Sequence, residues 1–300
     1  AGAAAANADL IGYWSFDGTL EETSGFTPAG THDAEIGTGD PTFSTDTPSR
    51  LGGMSMFFDG NDALRVRNSN ANVLINQDGT GGNDSQGPNP TYRPTFSRDL
   101  DEVGTGLTIA AWVKIDPRMP PVQNDWEPYI SKLGEGQSGY QLRRRGDSNN
   151  STFTLRGTQG DDDPQGVITT ADGEWNFIVG VWNQGDPNDP GNDAFRKLYV
   201  NGVEDTGVTQ SGDFGEFRPG ETNDLGGHGN ADWEFLAFGG RDQGSWSTTR
   251  VWLDEIRMYN RAITESEVQA LFAIPEPTTA TMLAATIGLF SLPWSRCRGS

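Results

Sequence analysis

The run Leu107-Thr108-Ile109-Ala110-Ala111-Trp112-Val113-Lys114-Ile115 reads as a β-strand. A β-strand sends successive side chains to opposite faces, so Leu107, Ile109, Ala111, Val113 and Ile115 make one uninterrupted apolar face. Thr108, Ala110, Trp112 and Lys114 stand on the other. Further along, Phe177, Val179 and Val181 alternate with Ile178, Gly180 and Trp182. Both faces of that run are apolar, as expected of a central strand covered on both sides. Near the start, Gly12, Trp14 and Phe16 share a face opposite Tyr13 and Ser15. Leu198-Tyr199-Val200 runs into Asn201-Gly202, the dipeptide that a type I′ hairpin turn favours. Trp233 to Phe238 and Arg250 to Tyr259 read as the last two strands. Thr264 to Phe272 (TESEVQALF) predicts a short helix, with Thr264 as N-cap and Glu267 completing a capping box.

These short runs are separated by clusters of Gly, Asn, Asp and Pro, in a chain with 40 Gly and 17 Pro. Long helical periodicity is nearly absent before residue 262. The fold class is therefore all-β, a two-sheet antiparallel sandwich of the jelly-roll type closed by a short C-terminal helix. Residues 9–272 are long enough for one large domain with its own core. Residues 76–99 and 185–193 read as loop insertions, and no repeat or linker divides the rest. Asp59 and Asp62 flank the Gly60-Asn61 turn and read as carboxylates that bond their own backbone. Asp161-Asp162-Asp163 reads as a solvated acidic loop tip.

Lys plus Arg number 21 and Asp plus Glu 42, a net charge of −21. Nucleic acid and anionic membrane surfaces both call for a basic patch and are disfavoured as partners. Solubility and divalent cations are favoured. The two ends differ from the middle. Residues 1–8 (AGAAAANA) read as a signal-peptide remnant or flexible N-terminus. Residues 273–300 form a separate segment. Pro275-Glu276-Pro277 leads into Thr278–Trp294, which carries no charge, and then into Arg296, Cys297 and Arg298. The uncharged run sits at the lower limit for a bilayer-spanning helix, and the arginines place what precedes it outside the membrane. An apolar tail helix with transient membrane insertion is expected. A buried core helix is the competing reading. Cys297 is the only cysteine, so the domain has no disulfide of its own and depends on core size or on a metal.

Four segments in this order carry a family resemblance. They are Tyr13-Trp14-Ser15-Phe16-Asp17-Gly18 with Glu22-Thr23-Ser24-Gly25, and Met56-Phe57-Phe58-Asp59-Gly60-Asn61-Asp62. The run Leu107–Val113 follows, with Gly173-Glu174-Trp175-Asn176 and Leu198–Gly202 after it. The last is Leu253-Asp254-Glu255-Ile256-Arg257-Met258-Tyr259-Asn260-Arg261-Ala262. Together they resemble the LamG-like, concanavalin A-like jelly-roll domain, a fold that hosts lectins, carbohydrate-binding modules, glycosidases and adhesion domains. The tail resembles the PEP-CTERM sorting signal of Gram-negative bacteria. That resemblance implies export, a temporary anchor and processing by an exosortase-type enzyme, often beside extracellular polysaccharide.

Strand alternation puts Trp252, Asp254, Ile256 and Met258 on one face, with Asp254 in the middle of an apolar row. A buried carboxylate needs a partner: an Arg, backbone N–H groups or a cation. LamG-like domains commonly hold calcium near the rim of the sandwich, so the resemblance implies Ca2+ at Asp254. It also maps the family's acidic position onto Glu22, with Asp17 and Asp33 as the other carboxylates near that loop. Glycoside hydrolysis needs two facing carboxylates. Asp254 and Glu255 are adjacent, which a regular strand sends to opposite faces, and no alternating acid motif, Ser–His–acid set or phosphate loop is found. His32 and His228 both lie in Gly-rich loops. Sugar rings stack on flat aromatic faces, and Tyr92, Trp126, Tyr129 and Trp246 are the loop candidates. Trp14, Trp112, Trp175 and Trp182 sit at family core positions or in predicted strands. The expected function is an exported, non-catalytic binding or adhesion module for extracellular polysaccharide. The alternatives are a structural or protein-binding surface component and a divergent glycoside hydrolase.

Overall fold

The computed structural model describes residues 10–26, 28–48, 51–66, 106–116, 127–132, 139–146, 148–157, 160–162, 164–185, 194–211, 236–240 and 248–273. In chain order its strands begin with β1 (Leu10–Trp14), β2 (Ala34–Thr38), β3 (Thr42–Ser44), β4 (Ser55–Asp59), β5 (Ala63–Val66) and β6 (Gly106–Ile115). Next come β7 (Pro128–Lys132), β8 (Gly139–Arg144), β9 (Ser151–Gly157), β10 (Gly160–Asp162) and β11 (Trp175–Asn183). The series ends with β12 (Phe195–Val200), β13 (Val203–Glu204), β14 (Gln210–Ser211), β15 (Ala237–Phe238), β16 (Arg250–Tyr259) and the helix α1 (Glu265–Phe272). They build two antiparallel sheets. The first runs β13-β12-β11-β6-β16-β4-β3, with β1 added against β16 and β14 against β12. The second runs β10-β9-β8-β7-β15-β5-β2.

The alternation read from the sequence places the core. Leu107, Ile109, Ala111, Val113 and Ile115 of β6 are buried between the sheets with Ile178 and Trp182 of β11. They meet Ile130, Leu142, Phe153, Leu155, Leu64 and Phe238 of the second sheet. Trp14 joins the layers from β1: its ring packs edge-on to Phe238 at 5.1 Å, and its indole N–H donates to the carbonyl of His32 at 3.0 Å. Gly180 stands in the middle of β11 for a steric reason. A Cβ there would lie 2.6 Å from the Phe153 ring, which reaches across from the other sheet.

The opposite faces of β6 and β11 are apolar as well, because α1 covers them. Ala110, Trp112, Phe177, Val179, Val181 and Tyr199 form a second core with Ile263 and Val268. Phe272, at the end of α1, lies 5.8 Å from the Trp112 ring and 6.1 Å from Phe177. The helix starts at the expected capping box, with both reciprocal Thr264–Glu267 bonds formed. The Asn201-Gly202 turn joins β12 to β13 with both residues at positive φ, 51° and 79°, as type I′ geometry requires.

Three expectations change or fall partly outside view. Asp161 and Asp162 belong to β10, paired with β9, rather than to a loop tip. The strand expected over Trp233 to Phe238 is seen as Ala237–Phe238, and 233–235 lie outside the described residues. Residues 1–9, 67–105, 186–193 and 274–300 also lie outside them, so both termini and most of the two insertions are not described. Among the described residues no helix is long and apolar enough to cross a membrane.

Candidate functional site

The departure from simple alternation that repositions the acidic residues is in β16. Its first half, Arg250 to Leu253, pairs with β4, while Ile256 to Tyr259 pairs with β1. On its other edge Asp254 faces Trp112 of β6, but the next paired residue is Arg257, facing Ala110. One extra residue is thus inserted in β16, a β-bulge, and Glu255 takes φ 53° there. The bulge resets which residues point inward. Val251, Leu253, Ile256 and Met258 all enter the inter-sheet core. The single face expected to hold Trp252, Asp254, Ile256 and Met258 is therefore not formed. Asp254 faces outward with its neighbour Trp112, and remains only 2% exposed.

Glu255 is on the outer side too. It accepts a 2.7 Å bond from the Tyr13 hydroxyl and pairs with Arg257, whose guanidinium lies 4.6 Å from the Tyr13 ring centroid. The inference that Asp254 and Glu255 point to opposite faces is corrected by the same extra residue. Burial pushes the Asp254 carboxyl up to about 9, and the negative charges of Glu255 and Asp17 add to the effect. The backbone N–H of Glu255 and the nearby Arg257 act the other way. Phe16, next to Asp17, joins Glu255 and the turn residue Asn201 as a non-glycine residue at positive φ, 55°. Strained backbone thus adjoins both Asp17 and Asp254, a placement typical of functional positions.

Glu22 and Asp33 do other work. One Glu22 carboxylate oxygen takes the backbone N–H groups of Tyr13 at 2.9 Å and Ser24 at 2.5 Å. Asp33 takes the N–H of Glu22 at 3.0 Å. They fasten the loop after β1 to the strand. Asp17 takes the N–H of Met54 at 2.9 Å. Among the described residues no three His, Cys, Asp or Glu side chains converge as a metal site. The fit to calcium is therefore partial: Asp17, Glu22 and Asp33 each accept a backbone amide, and Asp254 senses the negative charge of Asp17. Asp59 and Asp62 accept backbone N–H groups around their turn, at 2.8 Å for Asn61 and 2.8 Å for Asp59.

Of the stacking candidates, Tyr92, Trp126 and Trp246 lie outside the described residues. Tyr129 does not lie in a loop. It is in β7, fully buried, with its hydroxyl 3.2 Å from Ser151, and a ring without an exposed face offers nothing to a sugar. The exposed aromatic surface is elsewhere, on the outer face of the first sheet. Thr42, Phe57, Trp252, Lys114 and Trp175 are paired in succession across β3, β4, β16, β6 and β11, forming one row perpendicular to the strands. Phe57 and Trp252 rings are 4.5 Å apart, and the Lys114 ammonium lies 5.4 Å from the Trp252 centroid. Asp46 ties the row together, accepting from Lys114 Nζ at 2.7 Å and from the Trp175 indole N–H at 3.0 Å. Phe57, Trp252, Lys114 and Trp175 are all partly exposed. Trp175, read from sequence as a core-position or strand residue, begins β11 and packs against the second core while staying partly exposed, and among the described residues no ring or cation stacks on it. Across four strands the row from Phe57 to Trp175 spans about 14 Å, at ~4.8 Å per strand.

The fold has known relatives. Domain 4 of an extracellular arabinanase from Geobacillus stearothermophilus, solved with arabinotriose, superposes with TM-score 0.54 at 16% identity, covering 88% of this chain and 98% of that one. The receptor-binding domain of a botulinum neurotoxin C/D mosaic serotype gives 0.54 at 14% identity, over 89% of this chain and 51% of that one. The binding domain of Paraclostridial Mosquitocidal Protein 1 gives 0.53 at 15%, over 89% and 52%. The chain thus spans about half the length of the two toxin domains. A search of curated protein sequences gives no match. The family model for Laminin_G_3, of the concanavalin A-like lectin/glucanases superfamily, matches residues 92–269. With more than half of its length matched and both sheets formed in antiparallel order, the chain belongs to that concanavalin A-like family.

Proposed function

We propose that this chain is an exported, non-catalytic carbohydrate-binding module, and that its ligand is an extracellular polysaccharide held along the row Phe57–Trp252–Lys114–Trp175. The observation that carries this reading is Trp175, a partly exposed indole tied by Asp46 to the outer face of the sheet. An immobilised ring loses little entropy on binding, and its apolar face suits the C–H face of a pyranose. Asp46 and Lys114 supply an acceptor and donors beside it for sugar hydroxyls. The ion pair is internally neutral, which favours a neutral glycan. The oligosaccharide in the arabinanase-domain complex supports the ligand class.

The acidic locus supports binding rather than hydrolysis. Asp254 is buried and Glu255 is engaged by Tyr13 and Arg257, so neither carboxyl is presented to a glycosidic bond. We assign Asp17 and Asp254 to a structural calcium ion completed by other oxygens, since a cation would offset the repulsion between them. Export, the exosortase-type processing of the tail and its temporary membrane insertion belong to the same proposal. They rest on the tail sequence from Pro275 to Arg298.

Affinity electrophoresis through gels containing neutral and acidic polysaccharides, with parallel assay of reducing ends, tests the reading. Retardation in at least one neutral polysaccharide without release of reducing ends is expected. No retardation in any gel would contradict the binding reading. Steady release of reducing ends that stops in a D254N/E255Q variant would establish the hydrolase instead.

A further inference from the structure

The outer face of the first sheet carries a second feature, a cleft of about 410 Å³ at the N-terminal end of α1. Phe195, Lys197 and Tyr199 alternate along β12 and so form its floor, Thr209 and Ser211 make one wall, and Glu265 stands on the other. It is separate from the aromatic row. Phe195 pairs with Asn183 at the far end of β11 from Trp175, about 27 Å along the strand at ~3.4 Å per residue, and the apolar seat of α1 lies between.

We propose that this cleft is a second, independent subsite for a single neutral pyranose unit. Its volume falls in the range of small-ligand pockets. Phe195 is partly exposed and lines the cleft, with Lys197 Nζ over its ring at 5.7 Å from the centroid. Lys197 is held in place by Glu204 at 3.0 Å, and Glu204 is held in turn by the Thr209 hydroxyl at 2.7 Å. An ammonium has three donors, so this pair leaves capacity for a sugar oxygen. With Glu265 opposite, one cation faces two carboxylates, which disfavours acidic sugars and suits hydroxyls that both donate and accept. The site thus sets a ring and an ammonium between a hydroxyl-bearing wall and a carboxylate. Two subsites on one rigid face would let one molecule bridge two glycan strands, or bind one strand with raised avidity.

The sugar class rests on the binding reading above, whereas the location does not, so the test separates the two. Ligand-observed NMR is run with the methyl glycosides of glucose, galactose, mannose and xylose, and with glucuronate. Proteins are wild type, S211W, which fills the cleft from an exposed position, F195A, and W175A. The expected result is saturation transfer to at least one neutral glycoside that falls at least tenfold in S211W and F195A and persists in W175A, with glucuronate weaker. Transfer lost only in W175A would overturn the cleft proposal and leave the row standing. Transfer lost only in the cleft variants would support the cleft and leave the row, which holds an extended chain, to the polysaccharide comparison with W175A. Absence of transfer from every neutral glycoside, with all variants folded by circular dichroism, would overturn the cleft outright.

Discussion

Asp254 and Trp175 define the chemistry at the scale of single residues. That Asp254 is buried was legible, because apolar residues surround it in the chain. Its direction was not, because the positive φ of Glu255 is carried by a residue type that does not announce it. The consequence is testable through pH. Burial raises the folded-state carboxyl from 3.8 to about 9, so folding retains a proton between those values. The stability contributed by this group is fully present below pH 3.8 and is lost as the pH rises through 9. In chelator, D254N should therefore melt as high as or above wild type, with the gap widening from pH 6 to pH 9. A bound calcium ion would stabilise the ionised form, by about 2.7 kcal/mol at a hundredfold excess over its dissociation constant. Excess calcium should then raise the melting temperature of wild type and leave D254N unmoved. A wild-type melt indifferent to calcium would show that protein donors satisfy Asp254 and that the metal assignment is wrong.

Elements were more legible than residues where their signals were local. The two-residue period of β6 and β11, the Asn201-Gly202 turn and the capping box of α1 all follow from neighbouring residues. The helix also has a role in the packing of the whole outer face, since Val268 and Phe272 cover Trp112 and Phe177. Thr264→Ala removes the side-chain acceptor of the cap and should cost about 1 kcal/mol in denaturant unfolding. Glu267 completes the cap. Bonding from Arg261, with help from Thr264, holds its carboxyl at about 2 against the ordinary 4.5. Its contribution is present above pH 4.5 and lost as the pH falls toward 2, so the penalty of Thr264→Ala should shrink in acid. An unchanged midpoint at pH 7 would mean that packing alone holds the helix. The bulge in β16 was not legible, since it reflects the change of partner from β4 to β1, a long-range event.

At the scale of the whole molecule, the sandwich follows from repeated alternation, whereas the aromatic row needs the register of distant strands. Thr42, Phe57, Lys114, Trp175 and Trp252 come from separate parts of the chain, and only their pairing across β3, β4, β6, β11 and β16 aligns them. Sequence reasoning instead sought sugar-binding aromatics in loops, where Tyr92, Trp126 and Trp246 lie outside the described residues and Tyr129 proved to be a buried strand residue. The tail gives a separate expectation. Deleting residues 275–300 should leave the melting temperature of the domain unchanged and release the protein from the cell surface. Equal cell attachment after deletion would refute the sorting assignment. The central claim, a glycan-binding face on the first sheet, is tested most directly by one comparison. It is the dissociation constant of wild type and W175A for whichever neutral polysaccharide retards the protein most, with melting temperatures measured alongside. A loss of at least tenfold, about 1.4 kcal/mol, at an unchanged melting temperature is predicted. Undiminished binding by W175A would contradict the account.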